Sequence, residues 1–352
     1  MLKHVQRLLI TIAACLLMGW LLSIFGLPAP YLLGSLLAGG ALAKCSIHLP
    51  IPPAIPRGFH KAVVVGLSTL IGATFTPAVL SQIYLWAGTV AAMLGATLLA
   101  TWAGFYYLRH KRRYDSGLAL LCALPGGQAE VVAISRDLVE KDYVVAFCHL
   151  LRVVTVVCLV PLMLSMSEGS EGIAASYIAT EQLPSIFTLP LMQVLQFIVI
   201  GATGYGLAIF LGIPIPHLLG PLLLSSICHL TGWVAIDRSS EFVLLAQITI
   251  GAAVGIRLGE VKIRELVSYF PDALCLTAIL IATYVLIALN LAWLGGFDTM
   301  EMILAFIPGG VYEVTVLALI FGFDIAFVAF HHTLRVLVIF LGLPWLVKKL
   351  ND

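Results

Sequence analysis

The stretches Pro125-Gly126-Gly127-Gln128-Ala129-Glu130 and Pro308-Gly309-Gly310-Val311-Tyr312-Glu313 are two copies of one motif. They sit inside two longer blocks, 120–161 and 303–344, which align without gaps at a constant offset of 183 and are identical at 14 of 42 positions. The identities go beyond the leucines that any apolar sequence would supply. They include Val145-Ala146-Phe147 with Val328-Ala329-Phe330, His149 with His332, Arg152 with Arg335, and Pro161 with Pro344. Two further pairs come earlier in each half and in the same order. Leu27-Pro-Ala-Pro-Tyr-Leu-Leu-Gly34 matches Ile213-Pro-Ile-Pro-His-Leu-Leu-Gly220, and Ile71-Gly-Ala matches Ile250-Gly-Ala. The chain is a duplication.

The sequence around the motif belongs in lipid. Of 352 residues 61% are hydrophobic and 11% charged, against about 45–50% and about 25% in a soluble domain. Apolar runs long enough for a hydrocarbon core of about 30 Å recur throughout, as in Leu8 to Ile24, Ile83 to Leu108 and Ala273 to Trp293. The N-terminal run, with Lys3 and Arg7 before it, resembles a signal peptide but has no convincing small-x-small cleavage site, and reads as an uncleaved first span. The net charge of +1 and the lack of a basic domain argue against nucleic acid as a partner. The seven cysteines form no C-x-x-C pair and read as small buried hydrophobes.

Each half reads as a long helix, two shorter helices flanked by Gly and Pro, a long helix, a segment interrupted by Pro-Gly-Gly, and a final helix. The Lys and Arg positions set the orientation, because cytoplasmic loops carry the excess of these residues. If the N-terminus is inside and each interrupted segment returns to the side it entered from, 16 of the 19 Lys and Arg are cytoplasmic. Arg238 is then outside, and Arg152 and Arg335 lie within spans. The predicted fold is an all-α polytopic membrane protein of two inverted-topology repeats, each with about five transmembrane helices plus one re-entrant or broken segment. The first repeat covers 1–165, a periplasmic linker 166–190, and the second repeat 191–352. Both termini are expected on the cytoplasmic side of a bacterial inner membrane.

Irregular backbone at membrane depth is tolerated only where protein or a water-filled cavity covers it. The Pro-Gly-Gly breaks therefore mark either a cavity or a tight turn between packed helices. Transporter sites form where two such breaks meet near the midplane, which makes Gly126, Gly127, Gln128, Gly309, Gly310 and Val311 candidate substrate contacts at half-helix N-termini. Glu130 and Glu313, on the first turn after each break, are candidates to bind a coupling ion or carry a proton; helix capping is the alternative. Arg152 and Arg335 carry charge inside a span, and each needs a partner. That partner is the glutamate of its own half or a substrate carboxylate gripped bidentately. His149 and His332 stand one turn before the arginines on the same face, either as packing residues or as participants with the glutamates in coupling. No metal site or cofactor is expected.

Together, the L-P-x-P-x-L-L-G and P-G-G-x-x-E pairs resemble the AbrB-duplication family of bacterial membrane proteins, over nearly the whole chain. That resemblance implies an inner-membrane protein, with members labelled as regulators of gene expression or as ammonia monooxygenases. The residues offer no copper-ligand cluster and no DNA-reading element to support either label. In architecture the chain is also similar to the glutamate:sodium and 2-hydroxycarboxylate transporters, an analogy that favours a small organic anion without identifying one. The main reading is a secondary transporter of a small anionic solute working by alternating access. The alternative is a membrane-embedded regulator acting through ligand sensing or transport. An enzyme is disfavoured, since no H-E-x-x-H, G-x-S-x-G or Walker A pattern is present. The expected partners are a small-molecule or ion substrate and the lipid bilayer, and a homodimer is compatible with the sequence. Cysteine-accessibility labelling tests the topology: a cysteine at Glu260 should react only from the cytoplasmic side, and periplasmic labelling there would overturn the inverted arrangement.

Overall fold

The computed structural model describes all residues except Met1, 46–53, Gly127, 262–265 and Asp352, and describes the backbone alone at 2–4, 128–130, 167–168, 170–176, 178–180 and 343–351. In chain order the helices are α1 (Leu2–Ile24), α2 (Pro30–Cys45), α3 (Arg57–Ala73), the one-turn α4 (Pro77–Leu80), α5 (Ala87–Tyr106), α6 (Ser116–Ala123), α7 (Gln128–Leu138) and α8 (Asp142–Glu181). They continue as α9 (Leu191–Phe210), α10 (Pro216–Leu230), α11 (Ser240–Gly259), α12 (Phe270–Gly295), α13 (Thr299–Phe306), α14 (Val311–Phe321) and α15 (Ile325–Asn351). The protein is all-α among the described residues.

Seven of these helical stretches are long and apolar enough to cross a membrane: Val5–Ile24, Ile83–Lys111, Asp142–Met166, Leu191–Phe210, Ser240–Gly259, Phe270–Gly295 and Ile325–Gly342. The chain is a multi-pass membrane protein. The helices α2, α3 and α10 have 16, 17 and 15 residues, which at 1.5 Å per residue is about 22–26 Å and short of a full hydrocarbon core. The segment from 166 onward, read from the sequence as the start of a linker, continues α8 as helix to Glu181, with a turn at Gly169 (φ 64°, ψ −153°).

The two L-P-x-P stretches fold alike, and local chemistry explains why. Gly26 (φ 65°) and Gly212 (φ 66°) take the left-handed conformation that ends α1 and α9. In each case the next amide reaches back five residues, Leu27 N–H to the Leu22 carbonyl and Ile213 N–H to the Ala208 carbonyl, the double closure of a Schellman end. Ala29 (φ 47°) and Ile215 (φ 49°), between the two prolines of each stretch, are also left-handed. A branched residue such as Ile215 rarely adopts that region, yet both copies hold it, and from there α2 and α10 begin.

The helices gather into two compact units, and each unit draws on both halves of the sequence. One comprises Met1–Leu85, Pro161–Glu260 and Thr315–Ala326. Within it α1 packs on α2 and α9 on α10, while the second helix of each half packs on the third helix of the other, α2 on α11 and α10 on α3. Small residues permit these approaches. A Cβ at Gly255 would meet the Leu36 carbonyl oxygen, one at Gly251 the Leu32 carbonyl oxygen, and one at Gly72 the Leu222 carbonyl oxygen. Cys15, Ala38, Ile248 and Ala252 form a buried cluster where α1, α2 and α11 meet.

The other unit comprises Trp86–Val160, Val261–Val314 and Phe327–Asp352. Its centre is the pair α5 and α12, the fourth helix of each half, with α6 against α5 and α13 against α12. Tyr284 of α12 is fully buried and donates to Thr97 Oγ1 of α5 at 2.7 Å. Both Pro-Gly-Gly motifs belong to this unit.

Backbone cannot yield where a side chain tip could, so Gly255→Leu should cost about 1–3 kcal/mol of stability through overpacking. Gly206→Leu, on an exposed helix face where a Cβ meets nothing within 4 Å, is the neutral control. Thermal unfolding of both purified variants checks this.

Candidate functional site

The two motifs interrupt their helices in the same way. The helix α6 ends at Ala123 and α13 at Phe306, and the next residues, Leu124 (ψ 124°) and Ile307 (ψ 138°), are extended. Each proline follows, and the chain re-enters helix at Gln128 and Val311, as the sequence predicts.

Proline has no N–H, so the carbonyl four residues before it loses its helical donor. For Pro125 that carbonyl belongs to Leu121, and for Pro308 to Leu304. A buried histidine takes up both: His149 Nε2 bonds the Leu121 oxygen at 2.9 Å, and His332 Nε2 bonds the Leu304 oxygen at 2.8 Å. Three residues on, the arginine of each copy grips the next carbonyls of the same helix end. Arg152 Nη1 donates to Leu124 at 2.9 Å. Arg335 donates from Nη1 to Phe306 at 2.8 Å and from Nη2 to Ile307 at 3.1 Å. In both copies Nη2 also donates to the Nδ1 of the histidine at 2.9 Å. A carbonyl only accepts and a guanidinium only donates, so each ring is neutral, with its proton on Nε2.

This arrangement answers the question of the arginines' partners. Both are buried, Arg335 completely, and the charge faces the negative end of a short helix dipole and its unpaired carbonyls. The expected ion pair with Glu313 does not form: among the described residues the ion pairs are Arg112 with Asp272 and Arg136 with Asp142. Pro308 explains this, because by ending α13 it creates acceptors closer to the guanidinium than any carboxylate. The Glu313 carboxylate instead folds back over Gly310 at the start of α14. The Nη groups of each arginine are engaged, while Nε of Arg152 and Nε of Arg335 are buried and have no hydrogen-bond partner.

Each break also packs against the arginine-bearing helix of the opposite half. A Cβ at Gly126 would lie 3.4 Å from Ile339 Cδ1 and 3.7 Å from both Val336 and Arg335 Nε. At Gly309 it would lie 3.2 Å from Val156, one turn beyond Arg152. Gly126 has φ 135°, a region that side-chain-bearing residues avoid. The Arg335 guanidinium stands 5.4 Å from the Tyr284 ring centroid, a cation–π contact.

Of the residues singled out from the sequence, Gly126, His149, Arg152, Gly309, Gly310, Val311, Glu313, His332 and Arg335 lie in this one unit. Gly127 and the side chains of Gln128 and Glu130 lie outside the described residues. Sequence reasoning missed Tyr284, Thr97 and the carbonyls of Leu121, Leu124, Leu304, Phe306 and Ile307. The carbonyls were accessible to reasoning, since each proline names the acceptor it strands. Among the described residues no three His, Cys, Asp or Glu side chains gather as a metal site.

Comparison with known proteins gives a family match. The model of a family described as "Transition state regulatory protein AbrB" matches residues 44–351. A Bacillus subtilis (strain 168) protein named "Uncharacterized protein YhjN" is 24% identical over 347 residues, covering 95% of this chain and 90% of its own length. An Escherichia coli (strain K12) protein named "Putative regulator AbrB" is 26% identical over 325 residues, covering 92% and 91%.

Removing one guanidinium leaves two buried carbonyls and a histidine nitrogen unsatisfied, so Arg335→Gln should destabilise by about 2–5 kcal/mol. Glu313→Gln should cost clearly less. Denaturant unfolding of the two purified variants checks this, and equal losses would restore the ion-pair reading.

Proposed function

The chain belongs to the AbrB family of transition state regulatory proteins, and on that premise we propose that it is a membrane-embedded regulator that acts through a small ligand bound at its paired helix breaks. The family description and the name of the E. coli relative are regulatory, and neither describes an enzyme. They favour regulation over the transporter reading drawn from the sequence. The observation that carries the ligand site is the duplicated clamp, in which two buried cations each keep one N–H without a partner. Buried charge without a full set of hydrogen bonds is costly, and an anion arriving at the break would supply the missing acceptor. Glu130 and Glu313, next to the breaks, would respond to that anion or to a proton accompanying it. His149 and His332 hold the guanidinium planes in place.

A second reading, secondary transport of a small organic anion by alternating access, has its own support. Two broken segments related by duplication, each packed on the opposite half, are the arrangement in which transporter sites form. Inverted insertion with cytoplasmic termini and movement of the unit carrying the breaks belong to this reading. Regulation could then follow from solute flux.

Transcript profiling separates these readings when paired with transport assays. Deleting the gene should change transcript levels, wild-type chain should restore them, and Arg335→Gln expressed at wild-type level should not. Proteoliposomes tested with a panel of small carboxylates report transport as a charge-coupled current. Unchanged transcripts in the deletion strain would end the regulator reading, and absence of current for every carboxylate would end the transport reading.

A further inference from the structure

We propose that the first helix break is a binding site for a small monocarboxylate, completed by the second half of the chain through Arg335 Nε. This rests on the reading of the breaks as a ligand site and names what that site takes. The start of α7 at Gln128 offers a helix N-terminus of 11 residues. That feature alone would mean little. The second observation is the guanidinium: Arg335 is fully buried, its Nε lacks a hydrogen-bond partner, and it faces Gly126.

The chemistry of the donor set narrows the ligand. A guanidinium has five N–H groups, and both of those on Arg335 Nη2 are spent, one on Ile307 and one on His332. The side-on fork that would grip both oxygens of a carboxylate needs Nε and Nη2 together. With Nη2 occupied, Nε offers a single hydrogen bond to a single acceptor oxygen. The volume beside it is the one a side chain would fill at Gly126, where a Cβ would be in contact distance of Ile339. That space suits one oxygen atom, and the walls next to it, Ile339 and Val336, are apolar. Strongly hydrated anions such as phosphate lose much on entering such a place. A carboxylate on a short hydrocarbon body presents one oxygen to Nε and its chain to the isoleucine and valine. The arginine therefore serves the break of the opposite half, and its own half-helix through the carbonyl clamp.

The test uses purified full-length protein, with sodium butyrate as probe against sodium chloride and sodium phosphate at equal ionic strength. Butyrate should raise Tm by about 3 °C at saturating concentration, and chloride and phosphate should not. Ile339→Phe fills the volume from the side without touching the clamp. It should keep its unliganded Tm within a few degrees and lose the butyrate shift. Arg335→Lys, which keeps a charge and lacks Nε, should lose the shift too. A butyrate shift that survives Ile339→Phe would overturn the placement at Gly126. A shift with chloride or phosphate and none with butyrate would overturn the monocarboxylate assignment and leave the ligand-site reading standing, whereas no shift with any of the three would remove both.

Discussion

A missing hydrogen on two proline nitrogens organises the centre of this protein. Pro125 and Pro308 cannot donate, so the carbonyls of Leu121 and Leu304 have no helical partner inside a fold where water is scarce. Each is taken by a histidine 28 residues later, and the arginine one turn beyond takes the carbonyls that follow. A buried unsatisfied carbonyl costs about 1–3 kcal/mol, and a buried unpaired cation costs more. Placing the two deficits against each other settles both. The guanidinium is held in the apolar interior by backbone, so no carboxylate is consumed in neutralising it and its Nε is left without a partner.

The clamp in turn fixes how the duplicated segments meet. Because the arginine is anchored to its own half's broken helix, the helix carrying it is held at a set rotation, and its other face is presented to the break of the opposite half. Gly126 lies against Arg335, Val336 and Ile339, and Gly309 against Val156. The same exchange recurs in the other compact unit, where the second helix of each half lies on the third helix of the other through glycine contacts. Cross-half packing is thus the rule in both units, and neither unit could be assembled from one copy of the repeat.

Family membership and chemistry point the same way without being the same argument. The AbrB match and the relative named as a regulator describe a class of protein. The paired clamps describe something a membrane protein of that class could sense or move, a small anion meeting a donor that the fold leaves unused. A regulator with a ligand site of this kind would couple solute to response through the rearrangement of its broken helices.

The sequence by itself determined the membrane class, the duplication, the break positions and the starts of α7 and α14, because these depend on composition and on the local limits of proline and glycine. It also marked His149, Arg152, His332 and Arg335 as one face of a helix, since three-residue spacing dictates that. What it did not determine was their partners. An arginine within a span demands a partner, but glutamate and backbone carbonyl meet that demand equally well on paper, and only the distance from guanidinium to helix end decides. Tyr284 went unnoticed because a tyrosine in an apolar helix gains meaning only from what lies across from it. The gathering of helices into units that cut across the two halves also belongs to tertiary structure. Repeats record ancestry along the chain, whereas packing is decided by which small-residue faces fit, and those faces belonged to the other copy.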